Sequence, residues 1–426
     1  MLSVQRHWPQ FLIVTVLVLF SFYFFPSGTS ADLWQHATAL TRVPDFSHYV
    51  PLHTLSDTEF PTHDPHRRVI VLGDVHGMYE PFQALLDQVS YDPSADVLVH
   101  VGDIITKGPP KGSLAVLSYM AHHNITGVRG NHDQKVIEWR SWLEWVRKLG
   151  GARWLAQFHA AAHAADPADP ERWAAKYLKA SKSRWSRTIP RGWKPLSEHY
   201  RLASDMSSAE YEYLLSLPLV LHAPSAHVFV AHAGVLPSDP HYKPTHRRQP
   251  LARVPAFPDG YEGGQGNSEE ARALLRRVQE AAVLAHVPQN GDPWVTLNMR
   301  GVLADRSITR DQDGTPWAEV WNYEMGLCTG FEPRRQREAK LPCYPATVVY
   351  GHAAFRNLDI KRWSVGLDSG CVYNRRLSAL VLDYHLRNTT FEGEVKTNDQ
   401  VVAGQKKRKT IPFGEGSALV VDVECK

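Results

Sequence analysis

VIVLGDVHG, residues 69–77, is a β-branched run that breaks at a glycine and then delivers an aspartate and a histidine two positions apart. Four further stretches share this build: VLVHVGDIITKG at 97–108, ITGVRGNHD at 125–133, VFVAHAG at 228–234 and TVVYGH at 347–352. Each apolar run reads as a strand passing through a buried sheet. The polar residues come at its carboxyl end, where open α/β sheets place their ligands. One Gly-Asp pair after a strand is usually a turn, in which glycine takes an unusual backbone angle and aspartate bonds its own backbone. A lone histidine such as His352 is usually an ordinary surface or core residue. Five such stretches in order point elsewhere. Asp74, His76, Asp103, Asn131, His232 and His352 supply carboxylate, amide and imidazole donors, a mixed set suited to two divalent cations that share one carboxylate. With no thiolate among them, zinc, manganese, cobalt and iron all remain candidates.

At these residues the chain resembles the calcineurin-like metallophosphoesterase superfamily. The resemblance implies an α/β fold, a two-sheet β-sandwich flanked by helices, with a dinuclear metal site at the strand ends. Position by position it implies that Asp74 and His76 hold the first metal, that Asp103 bridges, and that Asn131, His232 and His352 hold the second. His132 is then the general acid. Many relatives carry another histidine two residues after the last ligand, where this chain has Ala354, so the first metal is expected to be more open and weaker.

Serine/threonine protein phosphatases carry GDxVDRG as their second motif; this chain has Thr106 and Lys107 in place of the Asp-Arg pair, followed by Gly108, Pro109 and Pro110. GDxxxKGP resembles the ApaH-like phosphatase branch, which is close to bacterial diadenosine tetraphosphatase and includes fungal vacuolar zinc-dependent endopolyphosphatases. WVTLNMRG at 294–301 and GLDSGCVY at 366–373 resemble it as well, and the likeness covers roughly residues 67–385.

The motif types suit in-line attack on phosphorus by an activated water, with no covalent phosphoenzyme. His132 protonating the leaving oxygen is worth roughly 10²- to 10⁴-fold in rate. Without an aspartate at position 106 something else must hold its ring, a backbone carbonyl being one candidate. Lys107 is expected to bind phosphate as a point charge rather than a bidentate fork, although a solvated loop lysine is the plainer reading. Arg300 is a second phosphate-binding candidate, with a structural role equally open. Arg129 is expected to brace the site without touching substrate.

The expected organisation is a signal anchor at 1–28, a linker at 29–66, a catalytic domain at 67–396 interrupted by a helical insertion at 134–226, and a basic tail at 397–426 with a candidate edge strand. Residues 11–25, FLIVTVLVLFSFYFF, carry no charge and follow Arg6. Fifteen residues fall short of the roughly 17 to 25 of an ordinary span, so a cleaved signal peptide, giving a secreted protein, competes with an uncleaved anchor. The anchor is favoured, which makes the expected protein single-pass with a lumenal catalytic domain, in a vacuole-like compartment by family resemblance. Asn388-Thr389-Thr390 and Asn124-Ile125-Thr126 are glycosylation sequons, of which the first reads as exposed. Cys328 and Cys343 flank a charged loop that they could close in an oxidising compartment; free thiols are equally open, and the remaining cysteines, Cys371 and Cys425, complete no CxxC pattern.

The insertion holds seven tryptophans from Trp139 to Trp193, expected to pack a helical cap rather than stack bases. Its basic run, Lys176, Lys179, Lys182, Arg184, Arg187, Arg191 and Lys194, reads first as a solvated face and, more sharply, as a wall that guides a polyanion. A net charge of +3 over 426 residues does not argue for nucleic acid as the main partner. The expected activity is therefore hydrolysis of phosphoanhydride bonds, with inorganic polyphosphate as leading substrate. A phosphoprotein phosphatase and a dinucleoside polyphosphate or capped-RNA hydrolase are the rivals. A non-catalytic phosphate-binding module ranks last, because the ligand set is intact.

Overall fold

The β-branched runs become the strands that carry the site. In the computed structural model, which describes residues 43–261, 268–331, 340–388 and 408–426, β1 is Val50–Thr54, β2 Arg68–Leu72, β3 Asp96–His100, β4 Thr126–Gly127, β5 Pro218–Ala223 and β6 Val228–Ala231. Three two-residue strands follow, β7 Gly301–Val302, β8 Ile308–Thr309 and β9 Thr315–Pro316, and form a small sheet of their own. The remaining strands are β10 Thr347–Tyr350, β11 Asp359–Lys361, β12 Ser364–Gly366, β13 Arg376–Asp383, β14 Arg408–Phe413 and β15 Gly416–Glu424. The large strands make two six-stranded sheets, in the orders β1-β5-β6-β10-β12-β11 and β14-β15-β13-β2-β3-β4.

Val69 and Val71 of β2 and Val99 of β3 share one core with Val230 of β6, Val349 of β10 and Val365 of β12, so the two sheets face each other. Ile70 and Leu72, on the opposite face of β2, are fully buried too. Burial on both faces is why this strand reads as an unbroken apolar run rather than an alternating one. Across the outer face of the other sheet, the helix Trp317–Met325 lays Trp317 and Trp321 against Phe229, Val348 and Tyr350. Truncating either tryptophan to alanine should cost about 3–5 kcal/mol. β2 and β3 run parallel, as do β6, β10 and β12. Their carboxyl ends therefore deliver the glycine-marked motifs.

The chain divides into two units. One comprises residues 47–141 and 194–426 and contains both large sheets; the other takes the described residues 43–46 with 142–193. Within the smaller unit the helices Ala152–Ala165 and Pro170–Ala180 meet through Phe158, whose ring lies 6.0 Å from Trp173 and 5.6 Å from Tyr177. Trp145 and Trp185 pack edge to face, and Trp142 Nε1 donates to Thr188 O. These tryptophans are packing residues, as their spacing suggests. The basic run from Lys176 to Arg191 belongs to this unit, whereas Lys194 belongs to the other.

Several expectations change. Among the described residues no helix is long and apolar enough to cross a membrane, which corrects the single-pass placement; residues 11–25 lie outside the described residues. Part of the stretch read as a linker pairs into a sheet, since β1 runs parallel to β5 from Val50 to Thr54. The apolar run ALVVDV is no edge: β15 pairs with β13 on one side and β14 on the other, and the outer strand is β14, which begins inside the basic run. Asn124 is exposed, in a turn with positive φ, because the strand it was expected to lead does not begin until Thr126. The Asn388 sequon extends beyond the described residues. Cys328 is bonded to Cys343, and Cys371 is bonded to Cys425, a pairing that spacing did not suggest.

Candidate active site

The six candidate donors converge. His232 Nε2 lies 3.5 Å from Asp103 Oδ2 and 3.2 Å from Asn131 Oδ1; His76 Nε2 lies 3.6 Å from the same Asp103 oxygen. His352 Nδ1 stands 3.0 Å from Asn131 Oδ1, and its backbone N–H donates to Asp74 Oδ2 over 3.1 Å. His232 and His76 are each steered by a backbone carbonyl at Nδ1, Val101 O at 2.9 Å and Ile105 O at 3.4 Å, which turns both Nε2 atoms inward. Asp103 Oδ2 stands between the two imidazoles. Asp74, Asp103 and His232 offer donor atoms all within 4.8 Å of one another.

The glycines of the motifs are there for close approach. A Cβ added at Gly351 would fall 2.0 Å from Asp74 Oδ1, and one at Gly130 would fall 2.1 Å from Asp103 Oδ1. Three of the six donors, His76, Asp103 and His352, hold φ values of 47°, 50° and 68°, and Thr106 and Lys107 also have positive φ. Non-glycine residues in that region cost about 1–3 kcal/mol each and persist where surrounding structure enforces them, typically at functional sites.

The electrostatics fit a bound cation. Burial, reinforced by Asp368 and Asp103, pushes Asp74 well above the usual carboxylate range. Burial and the negative charge of Asp103 raise Asp368 to about 6 and Asp133 to about 7. Asp103 is held well below its ordinary value: burial opposes this, but the charges of His232 and His132 prevail. His232 is raised to about 9, because Asp103 and Asp74 outweigh its own burial. Burial instead lowers His76 to about 4 and holds His132 and His352 well below the usual imidazole value. Four buried acids thus crowd together, and the repulsion that raises Asp74, Asp133 and Asp368 is what divalent cations on this donor set would relieve.

Around the donors the cavity is lined by Lys107, Lys135, Arg300, Arg310 and Arg375. Lys107 Nζ lies 3.4 Å from His76 Nε2, and Arg300 spans the wall, donating to Arg310 O over 2.9 Å and to His352 O over 3.4 Å. Both sequence candidates therefore line the site. Arg129 is fully buried and donates to Gln134 Oε1 and Leu215 O, bracing the loop from behind as expected. Asp133 accepts from the backbone N–H of Asp103 and of Gly130, tying the second and third motifs together. Among the described residues no backbone carbonyl holds the ring of His132. Its Nδ1 stands 2.9 Å from His199 Nε2, and its backbone N–H donates to Asp103 Oδ1.

Lys135, Arg310, Arg375, Asp368 and His199 escaped the sequence reading. Asp368 sits inside GLDSGCVY, a stretch already singled out, so position within a motif was an available signal. His199 follows no strand and lies in the insertion, where nothing in the local pattern marks it.

Comparison with known proteins identifies the family. Residues 67–290 match the model of the family described as calcineurin-like phosphoesterase. Serine/threonine-protein phosphatase 1 of Salmonella typhimurium is 36% identical over 102 residues, 23% of this chain and 45% of the relative. The symmetrical bis(5'-nucleosyl)-tetraphosphatase of Klebsiella pneumoniae is 48% identical over 69 residues, 16% of this chain and 24% of the relative. The matched stretch thus spans less than half the length of these curated relatives. A solved structure ascribed to a diadenosine tetraphosphatase aligns with 78% of this chain and 94% of its own at 24% identity, with a TM-score of 0.41. The family match extends over more than half of the chain and contains the first four motifs, and on that ground the chain belongs to the calcineurin-like phosphoesterases, a metal-dependent hydrolase family.

Proposed function

We propose that this protein hydrolyses phosphoanhydride bonds, with inorganic polyphosphate as its substrate. The observation that carries the reading is the charge of the cavity wall: five cationic side chains, Lys107, Lys135, Arg300, Arg310 and Arg375, line the space around the donor cluster. One phosphoryl group needs fewer. Such a wall suits a substrate with several charged phosphates in a row, because each further phosphate finds its own counter-charge. The resemblance of GDIITKGPP to the second motif of fungal zinc-dependent endopolyphosphatases supports the same reading.

In this reading Asp74, His76, Asp103, Asn131, His232 and His352 hold two divalent cations, of zinc, manganese, cobalt or iron. When bound, such a pair supplies Lewis acidity and charge neutralisation at phosphorus. Asp103, whose carboxyl is held well below its ordinary pKa and accepts the backbone N–H of His132, fixes the distance between the donor cluster and the proton source. Lys107 and Arg300 grip the phosphate under attack. His132 donates a proton to the oxygen that departs, which lets an unactivated leaving group go.

A second reading has its own support. Tyr373 and Phe355 line the same cavity and are 55% and 39% exposed. Exposed rings beside a phosphate site can stack bases, and this favours a dinucleoside polyphosphate. One experiment separates the two: incubate the protein with each candidate metal and with long-chain polyphosphate, diadenosine tetraphosphate or a phosphopeptide, and compare kcat/KM. Polyphosphate is expected to lead, and higher kcat/KM on a phosphopeptide overturns the proposal.

A further inference from the structure

His132 needs a partner to fix which ring nitrogen it presents. In serine/threonine phosphatases the second motif carries an aspartate at the position of Thr106, whereas here Thr106 Oγ1 is buried and makes no hydrogen bond among the described residues, to His132 or otherwise. Instead Nδ1 of His132 lies 2.9 Å from Nε2 of His199, with the two rings 22° apart in plane. Only one of these facing nitrogens can carry the shared hydrogen. The bond therefore blocks a ring flip and leaves His132 Nε2 as the nitrogen available to a substrate.

The element that brings His199 there is anchored as if for this purpose. His199 is the second residue of the helix Glu198–Asp205, whose first turn is capped by Ser197. Two contacts bind this helix to Asn131–Val146, the helix that begins beside His132. Tyr200 packs edge to face on Trp139, with centroids 4.9 Å apart, and Arg140 donates to Ala203 O and Met206 O at the far end. Neighbouring Glu198 accepts the backbone N–H of Lys107 over 2.9 Å, which holds that residue in its positive-φ conformation. One dipeptide thus fastens both the proton donor and the lysine loop.

We propose that His199 is a positioning residue for His132, replacing from outside the motif the aspartate that the motif lacks. The proposal rests on the reading of His132 as general acid. In the step concerned His132 begins as the imidazolium, which the negative charge of a bound phosphate favours against the burial that lowers its pKa, with Nδ1–H donated to His199 Nε2. As a water oxygen bonds to phosphorus and the bond to the leaving oxygen breaks, the Nε2 proton passes to that oxygen and His132 is left as the neutral imidazole. His199 neither gains nor loses a proton.

The test is a mutant cycle on the metal-loaded full chain, with metal content and melting temperature checked for every variant. Substrates are an alkyl phosphate, whose leaving group needs the proton, and p-nitrophenyl phosphate, whose leaving group does not. His199→Ala is expected to lower kcat on the alkyl phosphate by roughly 10- to 100-fold with KM within about twofold, and to spare p-nitrophenyl phosphate. His199→Gln, which keeps a hydrogen-bonding group, should recover part of the loss, and it replaces His199→Ala in the cycle if the latter loses metal or fold. His132→Ala/His199→Ala should be no slower than His132→Ala alone. Additive losses in the double variant overturn the proposal. If His132→Ala slows both substrates equally, the acid reading fails, but the cycle still decides whether the two residues are coupled.

Discussion

The backbone N–H of His352 donates to Asp74 Oδ2 over 3.1 Å, a contact that joins the last motif to the first across 278 residues. It closes the site between the two sheets, for Asp74 follows β2 of one and His352 follows β10 of the other. Gly351 makes the contact available: any Cβ there would collide with Asp74 Oδ1 at 2.0 Å. Gly351→Ala should displace the carboxylate and reduce turnover by about 10²-fold, the loss typical of a shift of about 1 Å in a reacting group. Metal analysis should show fewer than two ions per chain at equilibrium. Wild-type activity with full occupancy would show that Asp74 is not a ligand.

Asp103 is the residue on which the donor set converges, being within 3.6 Å of both His76 and His232 and bonded to the backbone of His132. Asp103→Asn keeps the shape and removes the charge. Turnover should vanish while circular dichroism stays native, because the Asp133 carboxylate still accepts the backbone N–H of Gly130 and of residue 103. Near-normal activity with two metals per chain would overturn the assignment of this residue as the bridge.

The contrast between Asp103 and His199 shows what was legible in the residues and what was not. Strand, glycine and polar side chain are adjacent in the chain, so β2, β3, β6 and β10 and the six candidate donors could be read from local pattern. His199, Arg310 and Arg375 reach the cavity through loops and a helix whose placement depends on packing such as Tyr200 on Trp139. No periodicity encodes that. The C-terminal strand order failed for the same reason: ALVVDV announces a strand, but whether it lies inside or at the edge depends on β14, whose sequence RKTIPF is too polar at its start to declare itself. Disulfide pairing is likewise a tertiary fact, as Cys371 and Cys425 are 54 residues apart.

A pH effect on stability should come from Glu324, away from the metal donors. Burial raises its carboxyl from 4.5 to about 7, against the opposing hydrogen bond from Ser238, and Oε2 has no partner among the described residues. The folded state therefore holds a proton that the unfolded state has released between these two values. Stability from this group is full below pH 4.5 and falls as pH rises through about 7, by about 3 kcal/mol in all. Glu324→Gln should remove that part of the decline, seen as a flatter plot of urea midpoint against pH from 5 to 8. An unchanged slope would mean that the carboxyl is already ionised in the native state.

The bond between Cys371 and Cys425 pins the end of β15 beside the start of β13, in a stretch whose neighbour Tyr373 lines the cavity. Replacing both cysteines by serine should lower unfolding free energy by about 2–4 kcal/mol, in line with a closed loop of this size. Denaturant titration of the double variant against the wild type measures it. The Cys328–Cys343 pair closes only 15 residues and should contribute less.

The cavity cations provide the sharpest test of substrate class, because three of them, Lys135, Arg310 and Arg375, have no role assigned in the chemistry. Burial depresses the Lys135 ammonium, and the charges of Arg310 and Lys107 press the same way while Asp103 opposes, so Lys135 and Arg310 already sense each other across the wall. A polyanion that lies between them relieves this repulsion with several charges, whereas a single phosphoester brings fewer. Lys135→Gln, Arg310→Gln and Arg375→Gln combined should therefore raise KM for long polyphosphate by roughly 10-fold or more and flatten its dependence on ionic strength, with p-nitrophenyl phosphate changed by less than about twofold. Neutralising Lys176, Lys179 and Lys182 in the smaller unit, as a separate variant, shows whether that basic run adds to capture or is only a solvated face. Products of intermediate length from the wild type would mark cleavage at internal bonds. If the triple change left polyphosphate kinetics untouched, the cationic wall would have no part in substrate choice, and the polyphosphatase reading would lose its main support.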